Sequence, residues 1–288
     1  MRRALLTGSI LLVGTTLLWG TSFPAIKYTV TRIGPLTYVW VRSLIAAAGL
    51  SPYLAYAALR GRPLRASLEG GLATGVAFAV GLWLQGWGTR YTTASNSAFI
   101  TGLNTVFVHI YTAIVERDYS PGLAASLAMA LAGLYLLTRP EGGLGLGDAL
   151  VLLGAVAWAA QIILVDRYAR GSDPVAFTFA EMLPSIALAL PALAVEGPPR
   201  LDPGLLLVLA YLGLACADAA FILQVMGQKR VPPALAALIF LLEPVFAAVF
   251  SAALLGERFT GGQLAGMALI IAGIAASEEA YRPRGARG

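Results

Sequence analysis

The sequence predicts an all-α polytopic membrane protein whose ten transmembrane helices form two inverted five-helix repeats around a central cavity. Three observations carry that reading. The 288 residues are 58% hydrophobic and only 12% charged, with a mean hydropathy of +0.76, whereas a water-soluble domain carries about twice that fraction of charge. The apolar residues gather into ten runs, and the chain matches itself at a fixed offset.

The runs are Ala4–Ile26, Pro35–Leu59, Leu68–Gly88, Ala94–Val115, Gly122–Leu137, Gly147–Val165, Pro174–Val195, Gly204–Gly227, Pro233–Leu255 and Gly262–Ala276. Most approach the roughly 20 residues that a helix needs to cross ~30 Å of hydrocarbon. The connections are short and rich in Gly, Pro and Arg, so no stretch can fold as a separate soluble domain. Soluble enzymes, nucleic-acid binders and secreted scaffolds are thereby excluded. The sequence pI near 9.5 reflects membrane topology, not acidic partners. Met1-Arg2-Arg3 before an apolar run has the form of a signal peptide, but the repeat argues that it is kept. Cys216 is the single cysteine, which leaves no intrachain disulfide and no cysteine metal site.

Threading ten helices sorts the basic residues into two sets. One holds Arg2, Arg3, Arg60, Arg62, Arg65, Arg117, Arg167, Arg170, Lys229, Arg230, Arg282, Arg284 and Arg287; the other holds Lys27, Arg32, Arg90, Arg139, Arg200 and Arg258. The larger set, and with it both termini, is expected in the cytoplasm. Arg42 belongs to neither, because it lies inside the second run.

The offset is 139: it relates Trp19 to Trp158, Gln85 to Gln224, Gly88 to Gly227, Leu103 to Leu242 and Phe107 to Phe246. With only five Trp and five Gln in the chain, the first two matches decide the matter. The register then slips by two, pairing Glu116-Arg117 with Glu257-Arg258, and settles at 140 with Ala132-Gly133 against Ala272-Gly273. The repeats are therefore expected at 1–139 and 140–288. An odd number of spans in each makes the second copy enter from the opposite side, an arrangement suited to alternating access.

Ionisable groups inside the spans are Arg42, His109, Glu181, Asp218 and Glu243. Each costs roughly 2.5 to 3.5 kcal/mol at mid-bilayer on insertion scales and is expected to face the interior or a wet cavity. Arg42 and Glu181 also stand 139 apart. One reading gives Arg42 a substrate carboxylate and Glu181 or Glu243 a substrate ammonium. The other gives an internal ion pair, or an Arg satisfied by carbonyls. Helical spacing groups Ser97, Thr101, Asn104 and Tyr111; Tyr38 with Arg42; Trp158 with Gln161; and Tyr211 with Asp218. Gln85, Asn104, Gln161 and Gln224 need amide partners in hydrocarbon. Trp19 and Trp158 either line the cavity or join Trp83 and Trp87 in an interfacial belt.

His109, Asp218 and Glu243 are the candidates for proton coupling, with a buried neutral histidine as the alternative for His109. Pro244 should break span nine and act as a hinge, whereas its counterpart in span four is Thr105. Spans five and ten carry almost no polar residues and should pack outside the others. Gly262 and Gly266 suit close packing within the bundle or a dimer contact. Gly143-Leu144-Gly145-Leu146-Gly147 links two apolar spans and has no following Lys, so it is not a nucleotide loop. No cofactor or metal is expected, and nothing suggests an ATP motor or a hydrolase triad.

Trp19-Gly20-Thr21-Ser22-Phe23, Arg42, and Leu242-Glu243-Pro244-Val245-Phe246 running to Gly256-Glu257-Arg258 resemble the EamA branch of the drug/metabolite transporter superfamily, most closely its amino-acid exporters of the YddG type. The resemblance covers essentially the whole chain and implies a basket of ten helices in a bacterial inner membrane. It implies export of small metabolites, aromatic and other amino acids among them; a monomer or weak dimer is expected. Efflux of lipophilic cations such as quaternary amines is the alternative. An intramembrane enzyme or a channel is the alternative of another class. The first copy reads Leu103-Asn104-Thr105-Val106-Phe107, without the proline.

Overall fold

The computed structural model describes residues 2–117, 120–139, 145–255 and 258–280, and among these it contains helices joined by short connections. The Gly143–Leu144 part of the glycine loop, Gly256-Glu257, and the three arginines after residue 280 lie outside the described residues. Ten spans result, each called here by its order. Span one is Arg2–Trp19 with Ser22–Val30; span two is Pro35–Leu59; span three is Arg65–Tyr91. Span four joins Ala94–Gly102, Asn104–Tyr111 and a wide π turn, Thr112–Glu116, and span five is Pro121–Thr138. Span six is Leu146–Ala169 and span seven is Pro174–Ile186 with Ala189–Val195. Span eight joins Pro203–Gly213, a second π turn at Leu214–Ala219, and Ala220–Gln228. Span nine is Pro233–Phe240 with Leu242–Leu255, and span ten is Gly261–Ala280.

Among the described residues nine of these are long and apolar enough to cross a bilayer. The other, Pro35–Leu59, has the length, but Arg42, three tyrosines and two serines dilute its apolarity. Local chemistry sets several boundaries. Pro35, Pro121, Pro174 and Pro203 begin their helices, where a missing N–H costs nothing. Side chains of Thr93, Ser120, Asp173 and Asp202 accept from the first free backbone N–H groups.

The helix contacts come in pairs that the offset of five spans interchanges. Span three packs on span six and span eight on span one; span three packs on span seven and span eight on span two; spans two and seven, and spans five and ten, pack on each other. Close approach depends on glycine at repeat-related places. A Cβ on Gly88 would come to 2.5 Å from the Gly147 carbonyl oxygen, and one on Gly147 to 2.8 Å from that of Gly88. Adding the offset to Gly88 gives Gly227 and subtracting it from Gly147 gives Gly8, and these two meet in the same reciprocal way, at 3.0 Å each. Spans five and ten form a seam at one edge, where Gly133 and Gly266 each leave room for the other's carbonyl, 2.6 Å from an added Cβ. Gly262 faces Arg139, so both glycines of that motif are used within the chain.

Both span four and span nine are broken, the latter at Leu241, three residues before Pro244. A proline there withholds its N–H from the Phe240 carbonyl, as the sequence leads one to expect. The break in span four, at Leu103, has no proline. There the turn tightens to a Leu103 N–H bond to the Ile100 carbonyl, 3.1 Å, and the Thr105 hydroxyl donates across to the Ala237 carbonyl of span nine, 3.0 Å. The break expected at Pro244 therefore has a counterpart in the first half that uses no proline.

Candidate functional site

Where the broken spans one, four and nine approach spans two, three, six and eight, a cavity of about 60 Å³ remains. Its lining follows the repeat. Trp19 and Trp158, Ser22 and Gln161, Leu82 and Phe221, Thr101 and Phe240, Gly102 and Leu241, and Asn104 and Glu243 are all wall residues, and the members of each pair stand 139 apart. The cavity is thus walled by residues at matching positions of the sequence repeat.

Span eight anchors one side of it. In a π turn the i to i+5 bonds displace carbonyls from the regular ladder. Around Leu214–Ala219 the Leu212 carbonyl accepts from Arg42 Nε at 3.1 Å, the Cys216 carbonyl from Trp19 Nε1 at 3.0 Å, and the Ala220 carbonyl from the Thr15 hydroxyl at 3.2 Å. Arg42 Nη1 donates to the Tyr38 hydroxyl, one helical turn earlier, at 2.6 Å. Among the described residues Arg42 forms no ion pair, and its Nη2 has no protein acceptor. It is 4% exposed and lines the cavity. Glu243 lines the same cavity and, among the described residues, makes neither a hydrogen bond nor an ion pair. A cation with a spare donor and a carboxylate with spare acceptors therefore share one void, with Trp19, Trp158, Phe221 and Phe240 as its aromatic surfaces. Trp19 packs on Phe221 and Phe240 at centroid distances of 5.1 and 5.3 Å.

Of the residues singled out from sequence, Trp19, Arg42, Gln85, Thr101, Asn104, Trp158, Gln161, Glu243 and Pro244 line the cavity. Gln85 Nε2 donates to the Thr101 hydroxyl at 3.0 Å. Three others stand one hydrogen bond behind the wall. Tyr38 holds Arg42; Glu181 accepts from Gln161 Nε2 at 2.8 Å; Gln224 Nε2 donates to the Gln161 side-chain oxygen at 3.0 Å and to Gln228 at 2.8 Å. Glu181 is fully buried, is not a wall residue and, among the described residues, forms no ion pair with Arg42. Asp218 packs against Gly49 of span two, its Oδ2 2.8 Å from where a Cβ on that glycine would lie. His109 is 1% exposed, with Nδ1 2.8 Å from the Thr105 carbonyl, and Tyr111 lies half-buried; neither is a wall residue. Trp83 and Trp87 stack on each other at 5.4 Å, apart from the cavity. The sequence reading missed Ser22, Ile26, Leu82, Ala98, Gly102, Ile162, Phe221, Phe240 and Leu241 as walls. Applying the offset to Gln161 and Thr101 finds two of them, Ser22 and Phe240.

Membrane-crossing helices in two matching halves, closing on a cavity with charged and aromatic walls, are the frame of a membrane transporter. A model of the EamA-like transporter family matches residues 6–139 and again residues 145–277. The chain belongs to that family. An uncharacterized transporter of Archaeoglobus fulgidus is 30% identical over 257 residues, covering 88% of this chain and 80% of its own. A probable amino-acid metabolite efflux pump of Salmonella typhimurium is 26% identical over 287 residues, covering 92% and 93%. A solved crystal structure shares the fold with a TM-score of 0.75 over 95% of this chain and 96% of that one, at 18% identity.

Proposed function

We propose that the protein exports small zwitterionic metabolites, amino acids first among them, from the bacterial cytoplasm across the inner membrane by alternating access. The observation that carries this reading is that Arg42 and Glu243 line one cavity without pairing with each other. Arg42, held by Leu212 and Tyr38, keeps a donor for a substrate carboxylate; Glu243 keeps acceptors for an ammonium; the rings receive an apolar side chain. The name of the Salmonella relative supports the same class. The halves, 1–139 and 140–288, act as inverted repeats whose exchange of conformation moves the opening from one face to the other. The excess of Lys and Arg on one set of connections supports cytoplasmic termini. The partners are the solute and the bilayer, with no nucleic acid and no cofactor, and the unit is a monomer or weak dimer.

The aromatic surfaces and Glu243 also suit a lipophilic cation. Counterflow in proteoliposomes with a panel of amino acids and quaternary amines separates the readings. Trans-stimulated exchange of amino acids that collapses in Arg42→Ala is expected. Exchange of amines that survives Arg42→Ala, with no amino-acid exchange in the parent, would overturn the proposal in favour of cation efflux. Flux without trans-stimulation would indicate a channel.

A further inference from the structure

We infer that Glu196 and Asp173 are two latches that decide from which face the cavity is reached, Glu196 at the face where span two begins and Asp173 at the opposite one. The inference rests on the alternating-access reading above. It starts from a pair of repeat-related helix starts: Pro35 and Pro174 open spans two and seven and stand 139 apart, as do the residues before them, Gly34 and Asp173.

The two starts are closed by different chemistry. Asp173 caps its own helix, its Oδ1 accepting from the Val175 and Ala176 N–H groups at 3.0 Å each. Gly34 has no side chain to do so, and the carboxylate comes from the far end of span seven. Glu196 Oε1 accepts from the Leu36 N–H at 3.0 Å and Oε2 from the Thr37 N–H at 2.8 Å. These are donors that a helix start leaves unsatisfied, and a carboxylate is favoured there. A Cβ on Gly34 would overlap the Glu196 carboxyl, so glycine at this position is what admits it.

The other end of span two is tied to Asp173. Its Oδ2 accepts from the Tyr53 hydroxyl and lies 3.9 Å from Arg62 Nη1, while its backbone N–H donates to Ser67 Oγ at 2.8 Å. Spans two and seven are thus joined at both faces by bonds that cross between the halves. Tilting one span on the other opens a face only by breaking the tie there, and the opposite tie can persist. Both sit at partly exposed positions, where water can replace the lost bonds as each opens in turn.

The test uses the full chain in a Cys216→Ser background with Ser22→Cys as a reporter in the cavity wall, in sealed vesicles of known orientation. A membrane-impermeant maleimide is added to one face at a time. Glu196→Ala should raise labelling from the Glu196 face at least about fivefold, and Asp173→Ala should do so from the other face. Gly34→Ala, which displaces an intact Glu196, should match Glu196→Ala, and Glu196→Gln should fall between, since its amide oxygen still accepts. If Glu196→Ala does not fold, Gly34→Ala and Glu196→Gln carry the comparison. Labelling within about twofold of the parent in the Glu196 and Gly34 variants, or a rise from the Asp173 face instead, would overturn the assignment. Labelling needs no substrate, so a carrier that exchanges no amino acid sinks the substrate reading alone, and unchanged labelling with normal counterflow sinks the latches alone.

Discussion

Asn104 and Glu243 stand 139 residues apart in sequence and line the same cavity. They occupy one position of the repeat, filled by an amide in the first half and a carboxylate in the second. The two halves share a frame, but their wall chemistry differs, and that difference can orient a substrate that has two unlike ends.

Glu243→Gln makes the two positions chemically alike. An amino acid should then bind about 10- to 100-fold more weakly, as expected for loss of a hydrogen bond to a charged group worth about 1.5–3 kcal/mol. The same acid with its amine acylated should be affected much less. Half-saturation concentrations in counterflow, measured for both compounds in parent and variant, check this; equal losses would remove Glu243 from the ammonium site.

Arg42→Lys keeps the charge but not the geometry. A lysine gathers its donors on one nitrogen and lacks the spread fork by which Arg42 reaches the Leu212 carbonyl and the Tyr38 hydroxyl with Nη2 to spare, so transport should fall nearly as far as in Arg42→Ala. Tyr38→Phe keeps the guanidinium and removes one tie, so a smaller loss is expected, on the order of threefold to tenfold in half-saturation. Initial rates of exchange across a concentration series distinguish the three variants.

The glycine crossings should differ in cost although they are repeat partners. A Cβ on Gly88 meets the Gly147 carbonyl and the Val151 N, at 2.5 and 2.8 Å, and backbone cannot step aside. A Cβ on Gly227 meets chiefly the Leu12 side chain, at 2.6 Å, which can turn. Gly88→Ala should therefore destabilise by about 1–3 kcal/mol, the usual range for overpacking, and Gly227→Ala by less. Thermal unfolding in detergent, followed side by side, would show the order.

Thr105→Val removes the hydroxyl that reaches the Ala237 carbonyl and leaves a buried acceptor unpaired, a loss of about 1–3 kcal/mol. Pro244→Ala instead restores an N–H near the break in span nine. We expect it to slow exchange more than it weakens binding, because it stiffens the break in span nine while changing the wall only at the proline ring itself. Exchange rates and equilibrium binding, measured on the same preparation, test that split.

Much of this architecture could be read from the chain. Ten apolar runs show through because hydrocarbon imposes length and composition on every crossing segment, and the repeat shows through because Trp and Gln are rare here. Arg42 and Glu243 stood out because a charge within an apolar run is costly. What could not be read depends on where neighbouring backbones pass. Glu181 looks from sequence like the mate of Arg42, yet Gln161 takes its carboxyl because the offset says nothing about rotamers or about which partner is nearer. The break at Leu103 leaves no proline to find. Glu196 sits in a connection, where a carboxylate ordinarily signals only solvent, and its role needs the start of span two to be brought beside it. The π turn of span eight has no marker in its residues, Leu214 to Ala219.

That turn bears on how the site can drift over evolutionary time. A side-chain partner for Arg42 could be lost by one codon change, but the oxygen on Leu212 belongs to the main chain and survives replacement of Leu212 by any other amino acid. Descendants are thus free to vary the letters of span eight while the guanidinium stays aimed; an insertion or deletion that shifts its winding is what would release it.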